Sequence, residues 1–154
     1  MVLYLVQHGL SNPREKDPQQ GLSAAGTATV NRIAAVARGY HVTVGRILHS
    51  GKLRARQTAE IFMRALAPRQ GLAETDGLNP MDDVTRFIER LDQLENVMLV
   101  GHLPFMERLA AFLVTGSPEK RVFKFQNGGI LCLEKDGDAG MLWYIKWTLM
   151  PEIG

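Results

Sequence analysis

The sequence predicts an α/β protein, a three-layer α/β/α sandwich around a mostly parallel sheet. Short apolar runs alternate with amphipathic helical segments as far as Thr115, and the chain beyond Gly116 is strand-rich. Two of the apolar runs end in a histidine, and a third leads into a basic helix start. Alternating strands and helices imply parallel strands joined by crossover helices.

Val2 to Val6 is uniformly apolar and ended by Gly9, as a fully buried strand should be. Residues 10 to 22 are rich in turn formers (Ser11-Asn12-Pro13, Asp17-Pro18, Gly21) and read as a loop. Ser23 is suited to N-cap a helix whose apolar face is Val30, Ile33, Ala34 and Ala37, closed by Arg38-Gly39. Ile47-Leu48 forms a short strand. The next helix turns Ala55, Thr58, Ala59, Phe62, Ala65 and Leu66 inward and stops at Pro68. Asp82-Asp83 opens a third helix with Val84, Phe87, Ile88 and Leu91 inward, the two acids matching its dipole. After the apolar run Val97 to Val100, Pro104 starts a helix with Phe105, Met106, Leu109, Ala110 and Leu113 inward. Strands are expected at Val122 to Phe125, Ile130 to Glu134 and Met141 to Thr148, with a hairpin at Gly137-Asp138-Ala139-Gly140.

The 154 residues suit a single domain, 1–154, without internal repeat or linker. An apolar share of 45% and a charged share of 22% are those of a globular protein. The N-terminus is apolar for only six residues, too few for a signal peptide or a membrane span, so a cytoplasmic, membrane-free location is expected. A net charge of +2 gives no argument for nucleic-acid binding. Cys132 is the only cysteine and alternates with Leu131 and Leu133, which marks it as a small core residue.

Candidate chemistry lies at strand ends. His8 follows Leu5-Val6-Gln7, and His102 follows Leu99-Val100-Gly101. Arg54 stands where the third apolar run passes into its helix. In open α/β sheets ligands bind at the carboxyl ends of the strands. Two imidazoles and a guanidinium there point to an anion site, best suited to a phosphoryl group. His41 lies in a polar loop and has no assigned role, and His49 is given an ordinary strand-end role. Arg64 and Arg69 read as a solvated helix face.

Gln7-His8-Gly9, the segment Ser50-Gly51-Lys52-Leu53-Arg54-Ala55-Arg56-Gln57-Thr58, and Gly101-His102-Leu103-Pro104 together resemble the motifs of the histidine phosphatase superfamily. Their order and spacing agree with that family over nearly the whole chain. The resemblance implies a phosphoglycerate mutase-like fold. Its short length and Gly-His-Leu-Pro form are most similar to SixA-like phosphohistidine phosphatases. Only about forty residues separate Thr58 from His102, leaving room for a minimal cap.

By that resemblance His8, Arg54 and His102 are the catalytic residues. His8 would attack phosphorus through one ring nitrogen while the other donates to a backbone carbonyl. Arg54 would clamp the non-bridging oxygens, and His102, if protonated, would add a donor. Gln7, Gly9 and Gln20 would contact substrate. No metal or other cofactor is implied. The partner would be a phosphorylated protein, such as a histidine phosphotransfer domain, or a small phosphoester.

Two positions depart from the family pattern. Gln7 stands where the family has arginine, and Gln20 stands where SixA-like chains often have another. Charge-assisted hydrogen bonds are about twice as strong as neutral ones, so attenuated turnover is expected rather than none. Arg14, Lys16 and Arg56 are candidate replacement cations. Sugar-phosphate members use a glutamate to protonate the leaving group, and Gly77 falls at about that place. Glu74, Asp82 and Asp83 are possible substitutes, the aspartates also serving as helix N-terminal charges. A phosphohistidine needs such an acid less, because its leaving imidazole takes a proton near neutral pH. The alternatives are a small-molecule phosphatase, or a degenerate phosphate-binding module. A mutase role is not expected, for want of a cap and an acid. Asn127-Gly128-Gly129 is read as a turn.

Overall fold

The computed structural model describes residues 1–137 and 143–153. Its elements are β1 (Val2–Gln7), α1 (Ala24–Gly39), β2 (Arg46–His49), α2 (Leu53–Leu66), β3 (Leu72–Glu74), α3 (Val84–Ile88), β4 (Val97–Gly101), α4 (Phe105–Thr115), β5 (Ile130–Lys135) and β6 (Trp143–Leu149). They form one six-stranded sheet in the order β3-β2-β4-β1-β5-β6. The first four strands pair in parallel, and β5 and β6 join antiparallel.

Side chains alternate across a strand, and both faces of this sheet are buried. Tyr4, Val6, Ile47, Met98, Val100 and Cys132 pack with Val30, Ile33 and Ala37 of α1 and Ala55, Ala59 and Phe62 of α2. Leu3, Leu5, Leu99, Leu131 and Leu133 pack on the other face with Phe87 of α3 and Phe105, Met106, Leu109 and Leu113 of α4. The three-layer sandwich follows from this division. Ser23 caps α1, accepting from the Gly26 amide at 2.9 Å. Asp83 caps α3 through Thr85. No helix among the described residues is long and apolar enough to cross a membrane.

The expected strand at Val122–Phe125 does not form. A strand needs a ladder partner, and this segment pairs with none of the six strands. The segment packs instead, with the Phe123 and Phe125 rings edge to face at 5.1 Å. Strand β3 has no counterpart in the sequence reading, because its three residues are too few for a period to show. The third helix ends at Ile88, and Leu91 is buried from a separate 3-10 turn, Leu91–Gln93. Residues 138 to 142 of the expected hairpin and last strand lie outside the described residues.

Candidate active site

The strands that lead into the three motifs, β2, β4 and β1, are neighbours in the sheet. Gln7 is in register with Gly101, and His49 with Val100, so the strands end together. The His8 amide donates to the Gly101 carbonyl at 3.0 Å and draws the two histidine-bearing turns together. The His8 and His102 rings lie 5.0 Å apart, tilted by 53°. Arg54, in the first turn of α2, reaches His8 from β2's side of the crevice.

His8 is held at both ring nitrogens. Nδ1 donates to the Gly9 carbonyl at 2.7 Å, and Nε2 accepts from Arg54 Nε at 3.3 Å. That pair of bonds fits one neutral tautomer, with its lone pair on Nε2. Burial lowers the His8 pKa, the Gly9 bond opposes that shift, and the positive charge of Arg54 adds to it. Burial also lowers the Arg54 pKa, as does the nearby charge of Arg14.

Thr58 ties the two reacting turns together. Its hydroxyl accepts from the Gly9 amide at 2.9 Å and donates to the Arg54 carbonyl at 2.7 Å. Gln57 beside it accepts from the Leu22 amide at 2.7 Å, pinning the end of the 10–22 loop to α2. The Gln-Thr pair of the motif therefore acts as scaffold. Gly9 is held tightly within the turn. Its amide is committed to Thr58 and its carbonyl to His8, and a side chain there would meet Val30 Cγ2 at 2.6 Å.

His102 is only 2% exposed, and its Nε2 lies 2.6 Å from Ser50 Oγ. Its Nδ1 is buried without a hydrogen-bond partner among the described residues. Burial, then the charges of His8, Arg54 and Lys52, push its pKa down to about 3. The isolated chain therefore holds His102 neutral near pH 7, and a donor role rests on whichever nitrogen carries the single proton. His49 ends β2 in the strand-end role expected, its Nδ1 accepting from the Gly51 amide at 3.0 Å.

Gln7 ends β1 half-buried, its carbonyl accepting from the Gly128 amide at 2.9 Å. Gln20 sits in a turn with φ of +48°, its amide bonded to Asp17. Among the described hydrogen bonds, none joins the Gln20 side chain to His8, Arg54 or His102. The turn at Asn127-Gly128 does more than reverse the chain. Asn127 Nδ2 donates to the His8 carbonyl at 2.9 Å, a contact across 119 residues that no local signal announces. Of the candidate cations, Arg14 lies close enough to act on Arg54, and Lys52, which was not among them, acts on His102. Arg56 pairs with Glu60 at 3.6 Å. Asp82 accepts from the Asn79 amide and Asp83 caps α3, both local roles. Glu74 is exposed, at the end of β3 and against Gly51.

No family model matches the chain. An uncharacterized protein of Picosynechococcus sp. is 30% identical over 150 residues, 92% of this chain and 84% of its own. Among solved structures, the protein histidine phosphatase SixA complexed with tungstate superposes with a TM-score of 0.83 at 24% identity, covering 98% of this chain and 97% of its own. A protein described as phosphohistidine phosphatase SixA, from Agrobacterium tumefaciens, gives 0.76 at 25% identity over 97% of both chains. The mycobacterial glucosyl-3-phosphoglycerate phosphatase complexed with VO3 gives 0.75 at 15% identity, over 97% and 99%, a likeness of fold alone.

Proposed function

Because this chain belongs to the histidine phosphatase superfamily, we propose that it is a phosphatase that hydrolyses phosphohistidine on a protein through a covalent phospho-His8 intermediate. The observation that carries this reading is the double tether of His8: Nδ1 to the Gly9 carbonyl at 2.7 Å and Nε2 to Arg54 Nε at 3.3 Å. It leaves an unprotonated nitrogen beside a guanidinium, the pairing that attack on an anionic phosphorus needs. The SixA structure to which the chain is similar holds tungstate, an oxyanion.

In the first step the Nε2 lone pair bonds to phosphorus as the P–N bond to the substrate imidazole breaks. The released imidazole nitrogen takes up a proton. Arg54 swings its donors from Nε2 to the non-bridging oxygens, where charge is greatest. In the second step water attacks phosphorus, releasing orthophosphate and restoring neutral His8. The segment between α2 and β4 holds only β3, α3 and one 3-10 turn. No cap of substantial size fits there, which suits a phosphoryl group carried on a protein surface. Gln7 contributes a neutral donor in place of a charge, and Gln7→Arg is expected to raise turnover.

The test is dephosphorylation of a histidine-phosphorylated phosphotransfer domain beside p-nitrophenyl phosphate, with His8→Ala as control. Rapid loss of label that depends on His8, with little ester hydrolysis, is the expected result. His8-dependent ester turnover alone would make the protein a small-molecule phosphatase. Phosphate binding without turnover of either would make it a binding module.

A further inference from the structure

We infer that Ser50 is a positioning residue: its hydroxyl, 2.6 Å from His102 Nε2, donates to that nitrogen and leaves the ring proton on Nδ1, as the donor offered to the phosphoryl oxygens. The inference rests on the reading of this crevice as a phosphoryl site and names what sets the polarity of its second histidine.

A neutral imidazole has one N–H and one lone pair, and the hydrogen bond made by one nitrogen decides what the other presents. Here Nδ1 is the nitrogen without a partner among the described residues. A bare lone pair at that buried position would repel an oxyanion, whereas an N–H would bind it. A serine hydroxyl can serve either tautomer, so the choice follows from what Nδ1 must do. With Ser50 as donor, both rings, 5.0 Å apart, carry their proton on Nδ1 but present different nitrogens to the site. His8 shows a lone pair to phosphorus and His102 shows a donor to its oxygens.

The backbone around Ser50 is built to hold that hydroxyl still. Ser50 follows the last residue of β2, between His49 and Gly51. The Gly51 amide is bonded back to His49 Nδ1 at 3.0 Å, closing a tight turn about Ser50. Gly51 has φ of +87°, and a side chain there would overlap the Glu74 carboxylate, so the turn is fixed from outside as well. On the other flank, the His102 carbonyl accepts from the Met106 amide at 3.0 Å.

The measurement is 15N NMR of ring nitrogens in the histidine-labelled full chain near pH 7, with and without orthophosphate, for the wild type, Ser50→Ala and Ser50→Thr. A His102→Gln sample assigns the ring. The wild type is expected to show His102 protonated at Nδ1 and bare at Nε2, with orthophosphate shifting Nδ1. Ser50→Ala should move the proton toward Nε2 and weaken orthophosphate binding by roughly tenfold, the worth of one neutral hydrogen bond. Ser50→Thr, which keeps the hydroxyl, should restore both. A wild-type His102 protonated at Nε2 would overturn the inference, as would an unchanged tautomer in Ser50→Ala. Because the tautomer is read without turnover, an inactive wild type would defeat the proposed phosphatase reaction and leave this result standing.

Discussion

Arg54 Nε donates to His8 Nε2 at 3.3 Å, so a permanent cation rests on the nitrogen that is to act as nucleophile. The contact keeps that nitrogen unprotonated and marks where the guanidinium stands before substrate draws it onto phosphate.

The acid limb of kcat/KM should therefore lie below pH 6.5, the ordinary histidine value from which burial and Arg54 lower His8. Activity falls as pH drops through the His8 pKa, because protonation removes the nucleophile. Arg54→Gln should move that limb toward higher pH while lowering the plateau. A pH profile of both proteins decides it, and an unmoved limb in Arg54→Gln would count against the contact.

Thr58 joins Gly9 to Arg54 through a hydroxyl that accepts at 2.9 Å and donates at 2.7 Å. Thr58→Val keeps the shape and strands a buried Gly9 amide, at a cost of about 1–3 kcal/mol in unfolding free energy. Turnover should drop with it, as His8 and Arg54 lose their common anchor. Thr58→Ser should recover most of both in urea titration and rate measurements.

Gly26 of α1 lies against the Leu10 backbone, and a methyl group there would overlap the Leu10 carbonyl. Gly39, at the other end of the same helix, has nothing within 4 Å of such a methyl. Gly26→Ala is expected to destabilise by about 1–3 kcal/mol, the usual penalty of overpacking. Gly39→Ala should be neutral or stabilising by up to ~1 kcal/mol. Thermal denaturation of the two variants gives the comparison.

His102 predicts acid sensitivity with a definite sign. Its folded pKa, pushed down to about 3, lies below the ordinary 6.5 of the unfolded chain. Between those values the unfolded chain binds a proton that the folded one does not. Stability is therefore full above pH 6.5 and falls as pH is lowered, by up to roughly 1.4 kcal/mol per pH unit for this one group. His8, whose pKa is also lowered, adds in the same direction. Urea unfolding from pH 7 to pH 4.5 should show a shallower loss in His102→Gln than in the wild type.

The main architecture was legible because its signals are local and repeated. Continuous apolar runs marked β1 and β4, and helical spacing marked α1, α2 and α4 with their inward faces. What failed depended on partners. Val122–Phe125 has a strand's composition but pairs with no strand, while β3 pairs with β2 and has too few residues to show a pattern. Histidine and arginine at successive strand ends suggested the crevice, since parallel strands bring their carboxyl ends together. The contacts of Asn127 with the His8 carbonyl and of Ser50 with His102 were not legible, because an asparagine in a turn and a serine after a strand are ordinary in sequence.

The sequence by itself determined which residues stand at strand ends and that two imidazoles and a guanidinium would meet there. Periodicity and chain order suffice for that. Only the tertiary structure decided how each ring is held. It set His8 between the Gly9 carbonyl and Arg54, His102 against Ser50, and Thr58 across Gly9 and Arg54. Hydrogen-bond direction and burial fix the protonation of an imidazole, and both belong to groups brought together from distant parts of the chain.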